Sequence, residues 1–404
     1  MKILQVIPYF VPAWDRGGPL NAAYHMSKEL VKSGHEVTVY TTNVLNRNSK
    51  IKEMSSIIDG IKVKRFTNLS NFLAYNQNIF LSPGMIFEVK KSLKNFDVIH
   101  MHEYRTMQNV IARHYALRYG IPYVLQAHGS LPIIMGKTEL KKFYDNIWGQ
   151  KILQDAAYVI AVTNVEAEQF KMLGIKENKI KVIPNGIDLA EYVNLPPKGN
   201  FKRKHGLTEN QEIILYLGRI HKIKGLDLLV RAFNIVKKSD KQVKLVITGP
   251  DNGYLAELMS TIRDLGIEDH VIITGPLYGQ DKIEAYVDAD VYVLPSIYET
   301  CPISVIEACA CGTPVIVTDR CGIANIIDNQ AGIVVPYDEI ILSKTLLTLL
   351  HDNNKKQEFG KNGILLVRDK LNWDKINKQI EDIYVSCVTS KHAKSGNSDE
   401  NQST

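Results

Sequence analysis

One stretch, Val291–Asp319, reads VYVLPSIYETCPISVIEACACGTPVIVTD. Its first four residues and the run Pro314–Thr318 are short, apolar and rich in valine, which predicts two buried strands. Between them, Pro302 can occupy the first position of a helix, where the missing N–H costs nothing. A strand, a helix and a second strand in this order predict parallel strands, because a parallel connection needs a long crossover.

The same alternation recurs along the chain. Outside the first stretch, strands are predicted over Ile3–Pro8, Glu36–Thr41, Ile61–Phe66, Asp97–His100, Tyr123–Ala127, Tyr158–Thr163, Lys181–Ile183, Ile213–Leu217, Lys244–Thr248 and His270–Thr274. Helical patterns separate them, as in Leu20–Lys32 with Gly34 as its C-cap. Residues 194–205, NLPPKGNFKRKH, interrupt the pattern and indicate a linker. We therefore expect an α/β fold of two doubly wound, Rossmann-like domains facing a cleft, over residues 1–195 and 196–372.

The end of the chain has a different pattern. Residues 373–388 place apolar side chains on one helical face, and we expect this helix to pack back on the N-terminal domain. Residues 389–404, TSKHAKSGNSDENQST, are almost free of bulky apolar groups, which predicts disorder.

Composition and charge restrict the classes of protein. The 404 residues are 45% apolar and 23% charged, which is typical of a soluble globular chain. The start, MKILQVIPYF, is interpreted as a strand and not as a signal peptide, and we expect a cytoplasmic protein. A nucleic-acid partner is not expected. The net charge of +6 is uneven: residues 1–195 carry 24 Lys/Arg against 16 Asp/Glu. An anion or a membrane surface is thus expected at the first half.

Four of the five cysteines crowd into one segment. They are Cys301, Cys309, Cys311 and Cys321. No histidine lies nearby and the spacing fits no common zinc pattern, so buried, reduced thiols are expected.

Paired glycines follow the first predicted strand and precede a helix. In Arg16-Gly17-Gly18-Pro19 the backbone can approach a ligand closely, and the helix start favours an anion. A tight turn without a ligand is the alternative. The dinucleotide fingerprint G-x-G-x-x-G is absent here, which disfavours NAD.

Two cations begin the second domain. Gly218-Arg219 follows a strand and Lys224-Gly225 precedes a helix. The forked guanidinium of Arg219 and the compact ammonium of Lys224 suit a diphosphate. Two solvated surface residues are the alternative interpretation.

Two glutamates lie in the opening stretch. Glu299 ends the loop before the predicted helix, and Glu307 falls within that helix among apolar neighbours. Both carboxylates can accept hydrogen bonds from sugar or ribose hydroxyls. The acid and nucleophile of a glycosidase are a less favoured alternative, because such a pair must flank one bond and usually comes from different elements.

Together these motifs resemble those of family-four retaining glycosyltransferases of the GT-B fold (glycosyl transferases group 1). Besides the two glutamates and the GR and KG pairs, the resemblance includes Gly17-Gly18, DVIHMHEY at Asp97–Tyr104, AHGS at Ala127–Ser130, IPNGID at Ile183–Asp188 and GTPVIVTD at Gly312–Asp319. It extends to about residue 388.

The resemblance implies a role for each motif. It places the diphosphate of a nucleotide-sugar on Arg219 and Lys224, with Gly17 and Gly18 near the phosphates or the acceptor. It gives Glu307 the ribose hydroxyls and Glu299 a hydroxyl of the donor sugar.

Further residues are assigned in the same way. The resemblance places the backbone amides of Ile303 and Ser304 on phosphate or sugar, and Leu277 in the loop facing the base. It places His128 near the anomeric carbon, as a catalytic residue with Glu299. Where the family has Phe-Gly, this chain has Cys301-Pro302. Cys301 therefore reshapes the donor-sugar pocket.

The resemblance also implies a reaction. A sugar would pass with retention from a UDP- or GDP-sugar to a glycan, a lipid-linked glycan or another hydroxyl acceptor, in polysaccharide or glycoconjugate biosynthesis. No cofactor and no metal are expected. The alternatives are a nucleotide-sugar 2-epimerase on the same architecture and a non-catalytic nucleotide-sugar binding protein.

One segment after His128 is basic and aromatic. It contains Lys137, Lys141, Lys142, Phe143, Tyr144, Trp148 and Lys151. Such a stretch can lie on an anionic bilayer, which predicts peripheral contact at the inner face of the membrane. An ordinary amphipathic helix is the alternative.

Overall fold

A computed structural model describes residues 1–133, 138–239 and 242–400, of which Asp15 and residues 392–400 are described by their backbone alone. The chain forms two compact units. The N-terminal unit comprises Met1–Asn185 and the residues from Trp373 onward, and the C-terminal unit comprises Gly186–Asn372.

The described chain has fourteen strands, which form an eight-stranded sheet in the N-terminal unit and a six-stranded sheet in the C-terminal unit. The strands are β1 Lys2–Val6, β2 Glu36–Thr42, β3 Ser55–Ile58, β4 Ile61–Phe66, β5 Val98–His102, β6 Tyr123–Gln126, β7 Tyr158–Ala161, β8 Ile180–Val182, β9 Glu212–Leu217, β10 Val243–Thr248, β11 Val271–Gly275, β12 Val291–Leu294, β13 Val315–Thr318 and β14 Gly332–Val335. The N-terminal sheet has the order β3-β4-β2-β1-β5-β6-β7-β8, and the C-terminal sheet has the order β11-β10-β9-β12-β13-β14.

Sixteen α-helices connect and cover these strands in the described residues. They are α1 Gly18–Lys32, α2 Asn71–Gln77, α3 Met85–Ser92, α4 Met107–Tyr119, α5 Thr138–Tyr144, α6 Gln150–Asp155, α7 Asn164–Met172, α8 Asn200–Lys204, α9 Leu226–Ser239, α10 Leu255–Asp264, α11 Gly279–Asp288, α12 Ile303–Ala310, α13 Ala324–Ile327, α14 Glu339–His351, α15 Asn353–Lys370 and α16 Trp373–Glu400. The fold is thus two parallel-sheet, Rossmann-like α/β units, as the sequence predicts.

Two strands were absent from the sequence prediction. β3 pairs antiparallel with β4 at the sheet edge, and Ile57 on it is 74% exposed, so its residues lack the buried pattern of a central strand. β14 begins with Gly332, where a Cβ would lie 1.8 Å from the carbonyl oxygen of Val315. Only glycine fits this close backbone approach, although glycine is depleted in strands.

Helix α16 packs into the core of the N-terminal unit. Its buried side chains share one cluster with residues of β1 and α1, and they are Trp373, Ile376, Ile380, Ile383, Tyr384 and Cys387. The helix continues to Glu400, where the sequence predicts disorder from residue 389. Each residue that extends an existing helix gains one hydrogen bond, and no proline or glycine pair stops this one earlier. Residues 401–404 lie outside the described part.

The division between the units falls at Asn185 and Gly186, ten residues before the predicted boundary at 195. The backbone N–H of Ile187 donates to the carbonyl oxygen of Leu371 at 3.1 Å, which ties this segment to the C-terminal unit. The predicted linker contains α8, whose start is held by Asp288: this carboxylate accepts from the N–H groups of Gly199 and Lys202. Asp288 is the last residue of α11, and its carboxylate has a structural role at the start of α8.

Candidate functional site

The C-terminal sheet has a topological switch point between β9 and β12. The chain order runs outward in one direction from β9 to β11 and in the other from β12 to β14. In open parallel sheets, ligands bind beyond the carboxyl ends of the strands at such a point. The loops after β9 and β12 carry Lys224 and Glu299.

A close backbone approach holds these two loops together. Gly225 has φ +65°, and a Cβ on it would lie 2.0 Å from the carbonyl oxygen of Pro295. The N–H of Ile297 donates to the carbonyl oxygen of Ile223 at 2.9 Å. Gly225 therefore permits a contact between the loops that any side chain would prevent.

Lys224 and Glu299 form an ion pair across this contact. The side chains are 12% and 20% exposed, so both face a sheltered site and not bulk solvent. Arg219 lies in the same loop region but is exposed, and its Nη1 donates to Asn252 Oδ1 at 3.2 Å. The structure thus joins Lys224 directly with Glu299, whereas Arg219 remains available at the surface of the site.

Helix α12 begins beside Glu299. Pro302 is the residue before the helix, and Ile303 is the first helical residue. The helix thus begins one residue later than the sequence predicts, because Pro302 was expected to be its first residue. The first N–H groups of a helix point outward and favour an anion. Ser304 Oγ lies 2.8 Å from the hydroxyl of Tyr292, so the Ser304 side chain faces the sheet. Cys301, just before this helix, is 8% exposed.

Glu307 on α12 has two partners on α11 that the sequence analysis missed. Lys282 Nζ lies 2.6 Å from Glu307 Oε1, and the hydroxyl of Tyr286 donates to Oε2 at 3.0 Å. Burial would lower the pKa of Lys282, but the Glu307 carboxylate outweighs it and the pKa is raised. The sequence indicates only that a glutamate among apolar residues needs a partner; it does not identify Lys282 or Tyr286 as that partner.

The loop after β11 contains Leu277, which is half-buried. Gly275 at its start has φ +76° and accepts hydrogen bonds from Gly249 N and Thr248 Oγ1. Leu277 therefore lies at the carboxyl edge of the same sheet as Lys224.

The N-terminal sheet has its own switch point, between β1 and β5. The loop after β1 contains Gly17, at φ +79° before the first turn of α1. Tyr9 in this loop donates to Glu103, which follows β5. The guanidinium of Arg16 stacks 3.7 Å from the ring centre of Tyr75. Gly17 and Gly18 thus border the position where a doubly wound sheet binds ligands.

Three histidines stack beside this switch point. The rings of His100 and His102 are 4.3 Å apart, and those of His102 and His128 are 5.2 Å apart. Burial lowers the pKa of His128 to about 3, as it does that of His100, and it lowers the pKa of His102 well below its usual value. All three imidazoles are therefore neutral at physiological pH.

The backbone at His128 is held in an unusual conformation. His128 has φ +52° and Gly129 has φ +82°. The N–H of Gly129 donates to Glu166 Oε1 at 2.6 Å, and that of Val162 donates to Oε2 at 2.7 Å. Glu166 is fully buried and thus fixes the turn that carries His128. Left-handed non-glycine residues of this kind concentrate at functional sites.

The basic-aromatic segment contains exposed and inward side chains. Leu140, Phe143 and Trp148 are 52%, 57% and 39% exposed. Tyr144 instead donates to the carbonyl oxygen of Thr106 at 2.9 Å, so this predicted surface residue points inward. Lys137 lies outside the described residues.

The five cysteines are free and buried. Burial raises the pKa of the Cys309 thiol to about 12, and it also raises those of Cys311, Cys321 and Cys387. Within the described residues, helices that are long enough to span a membrane are not sufficiently apolar to do so.

Two family models match the chain, one in each half. "Glycosyl transferases group 1" matches residues 197–366, and "Glycosyltransferase Family 4" matches residues 16–191. The chain therefore belongs to the family-four glycosyltransferases of the GT-B fold.

Individual relatives agree with this assignment. An uncharacterized glycosyltransferase of Methanocaldococcus jannaschii is 28% identical over 378 residues, covering 89% of this chain and 92% of the relative. A D-inositol 3-phosphate glycosyltransferase of Kineococcus radiotolerans is 25% identical over 79% of this chain and 77% of the relative. Among solved structures, sucrose-phosphate synthase of Thermosynechococcus elongatus has a TM-score of 0.79 at 20% identity, over 96% of this chain and 100% of that one. Anabaena HepE in complex with UDP-glucose has a TM-score of 0.76 at 21% identity, with the same coverage.

Proposed function

We propose that this glycosyltransferase moves a sugar, with retention of configuration and without a metal, from a nucleotide-sugar to a hydroxyl acceptor. The observation that carries the proposal is the Lys224–Glu299 ion pair at the switch point of the C-terminal sheet. A cation beside a carboxylate suits a ligand that combines an anionic phosphate with a hydroxylated sugar.

Each part of the donor has a matching group. Lys224, Arg219 and the first N–H groups of α12, at Ile303 and Ser304, stabilise the diphosphate and the charge that develops on it as it leaves. Because this positive charge comes from the protein, a metal is not required for the same electrostatic role. Glu299 accepts from a sugar hydroxyl.

Glu307 accepts from the ribose hydroxyls. Its two oxygens already bind Lys282 and Tyr286, but a carboxylate has about four acceptor positions. The ribose can therefore bind without breaking these contacts. Leu277 is proposed to face the base, and Cys301 to line the sugar pocket.

The N-terminal unit is proposed to supply His128 and the acceptor side, with Gly17 and Gly18 near the acceptor or the phosphates. Residues 1–195 carry the excess of Lys/Arg, 24 against 16 Asp/Glu, which favours an anionic acceptor. A glycan or lipid-linked glycan that carries phosphate fits this charge. The name of the Kineococcus relative supports D-inositol 3-phosphate as a first test acceptor, and the HepE complex supports UDP-glucose as a first test donor.

The decisive experiment measures release of free nucleoside diphosphate. The purified protein is incubated with UDP-, GDP- or ADP-sugars, with and without a panel of anionic and lipid-linked acceptors. We expect release of nucleoside diphosphate only when both donor and acceptor are present, and we expect it to persist in EDTA. The product should have the donor's anomeric configuration by NMR. Epimerised donor in the absence of acceptor would instead establish the isomerase alternative.

Two neighbouring lysines provide a matched pair of variants. Lys224→Met is expected to lower kcat by about 10²–10³-fold, the range for loss of a charge-stabilising group. Lys222 lies in the same turn, but its side chain is 65% exposed. The activity of Lys222→Met is therefore expected to stay within about twofold of wild type. Equal effects of the two variants would refute the role of Lys224.

We also propose that the basic-aromatic segment contacts an anionic bilayer, which fits a cytoplasmic protein acting at the inner face of the membrane. Exposed Phe143 and Trp148 lie close in sequence to the exposed Lys142 and Lys151. Co-sedimentation with phosphatidylglycerol-containing vesicles, but not with pure phosphatidylcholine, is expected to be lost in Phe143→Ser/Trp148→Ser. Phe87→Ser is the control, because Phe87 is 79% exposed on α3. Binding that survives the double substitution would exclude this surface.

A further inference from the structure

A chain of hydrogen bonds runs from Gln5 on β1 through His102 to His128. Gln5 Oε1 lies 2.5 Å from His102 Nε2, and His102 Nδ1 lies 2.9 Å from His128 Nε2. Gln5 and His102 are fully buried. Because each contact needs one donor and one acceptor, the role of one atom at the start of the chain fixes the position of every proton along it.

Met26 on α1 fixes the orientation of the Gln5 amide. The two ends of an amide have nearly the same shape, so neighbours must decide which end is nitrogen. Gln5 Nε2 lies 3.7 Å from Met26 Sδ, and a thioether sulfur can accept a hydrogen bond but cannot donate one. The same nitrogen lies 3.4 Å from the hydroxyl of Tyr384, which can also accept. The amide oxygen is thereby directed at His102.

The protons then follow in sequence. A neutral imidazole has one N–H and one lone pair. Since Gln5 Oε1 can only accept, His102 donates through Nε2 and its Nδ1 carries the lone pair. His128 therefore donates to His102 through Nε2, and its own Nδ1 is the acceptor. That Nδ1 is buried and has no hydrogen-bond partner among the described residues.

We infer that Gln5, oriented by Met26, is a positioning residue that fixes His128 as the Nε2–H tautomer, so that Nδ1 accepts a hydrogen bond from a hydroxyl of the ligand. This role for the ligand rests on the proposed function, in which the hydroxyl belongs to a sugar. An ionised phosphate oxygen carries no proton and cannot donate to this atom. The inference therefore assigns His128 to a hydroxyl and leaves the phosphates to the cations of the C-terminal unit.

The tautomer can be observed directly. Long-range ¹H–¹⁵N correlation spectra of ¹⁵N-histidine-labelled protein distinguish a protonated from an unprotonated ring nitrogen. The chain has 11 histidines, and His102→Asn and His128→Asn identify the two resonance sets. Both rings are expected to carry the proton on Nε2. A proton on Nδ1 of His128 in the wild-type protein would overturn the inference, and this measurement requires no variant that alters the network.

Met26→Leu tests the origin of the tautomer. Leucine has a similar volume but no acceptor, so the amide can rotate and the Nε2–H pattern of His102 and His128 should become mixed. If the two amide orientations become about equally populated, about half of the protein keeps the competent His128 tautomer, so kcat is expected to fall by about twofold. Met85→Leu is the control, because Met85 is equally buried in a different cluster of the same unit. An unchanged His128 tautomer in Met26→Leu would refute the role of Met26.

The two levels of the proposal fail separately. Gln5→Met removes both amide atoms and should release both histidine tautomers whether or not the protein transfers a sugar. The expected spectra without any transferase activity would refute the proposed function and leave the tautomer assignment intact. Transferase activity in a protein whose His128 carries its proton on Nδ1 would support the proposed function and refute the tautomer assignment.

Discussion

Replacing Lys282 by methionine should destabilise the C-terminal unit while leaving its shape intact. Lys282 and Glu307 are 18% and 12% exposed, and their charged atoms lie 2.6 Å apart. Methionine retains the unbranched, flexible stem of lysine but not its charge. The substitution therefore leaves the Glu307 carboxylate sheltered from water, with the hydroxyls of Tyr286 and Tyr192 beside it but no cation to balance its charge.

The size of the effect follows from the desolvation of that carboxylate. Breaking a buried ion pair by removing one partner costs about 3–5 kcal/mol. Both side chains retain some exposure, so we expect the lower end, about 3 kcal/mol. For a unit of this size, about 2–4 °C per kcal/mol converts this to a fall in Tm of about 6–12 °C. Because the pKa of Lys282 is raised, the pair contributes at neutral pH and its contribution is lost only as pH rises above about 10.4, the usual lysine value.

Thermal and urea unfolding of four proteins tests this reasoning. The double variant Lys282→Met/Glu307→Gln has no unpaired charge and keeps an acceptor for Tyr286, so it should recover all but about 1 kcal/mol. Arg231→Met is the control, since its pair with Asp227 is exposed and worth about 0.5 kcal/mol or less. A loss below about 1 kcal/mol in Lys282→Met, or no recovery in the double variant, would refute a buried, interdependent pair.

Three further outcomes are expected. Burial raises the pKa of Glu166 to about 7 from its usual 4.5, so between these pH values the folded chain holds a proton that the unfolded chain releases. The free energy of unfolding of the wild type, relative to that of Glu166→Gln, should therefore fall by up to about 3 kcal/mol as pH rises from 4.5 to 7. A difference between the two proteins that does not change with pH would contradict this. Gly225→Ala should abolish the thermal shift given by nucleotide-sugar, because its Cβ would meet Pro295, whereas Gly253→Ala, at φ +86° in open space, should retain it. The four buried thiols other than Cys301, which is proposed to line the sugar pocket, should react with a disulfide reagent at pH 8 only on unfolding. Fast modification of the native protein at Cys309, whose pKa is raised to about 12, would contradict this.

The parts of the fold that could be predicted are those in which local pattern and tertiary position agree. β12 has the bounds predicted for it, Val291–Leu294, because a strand buried on both faces is apolar at every residue. β14 has no such signal, since its first residue is a glycine required by a neighbouring carbonyl. The segment from Gly186 to α8 belongs to the C-terminal unit because Leu371 and Asp288 bind it, and both contacts come from residues far away in the chain.

The candidate site shows the same division. Glu299 and Lys224 could be proposed from the sequence because they lie in loops that follow predicted strands, and Glu307 because a carboxylate among apolar helical neighbours needs a partner. Lys282 could not, since one lysine on an amphipathic helix is indistinguishable from a solvated one until the fold supplies its partner. Gln5 is harder still, because its role depends on contacts with Met26 and His102, two residues on other elements.

Under the proposed function, the C-terminal unit recognises the ligand by charge and the N-terminal unit recognises it by the position of a proton. The groups proposed to bind the donor in the C-terminal unit are two cations and two carboxylates, so binding there would depend on the ligand's own charge and on hydroxyls that donate. In the N-terminal unit the stacked histidines are neutral, and burial keeps them so across the physiological range. A neutral ring with a fixed tautomer discriminates between ligand groups by the position of a proton and not by charge. Higher ionic strength should therefore weaken phosphate binding without altering the preference of His128 for a hydroxyl. We expect the donor affinity of the wild type to fall as ionic strength rises, and that of Lys224→Met to fall less. This difference would separate the contribution of charge from that of the His128 tautomer.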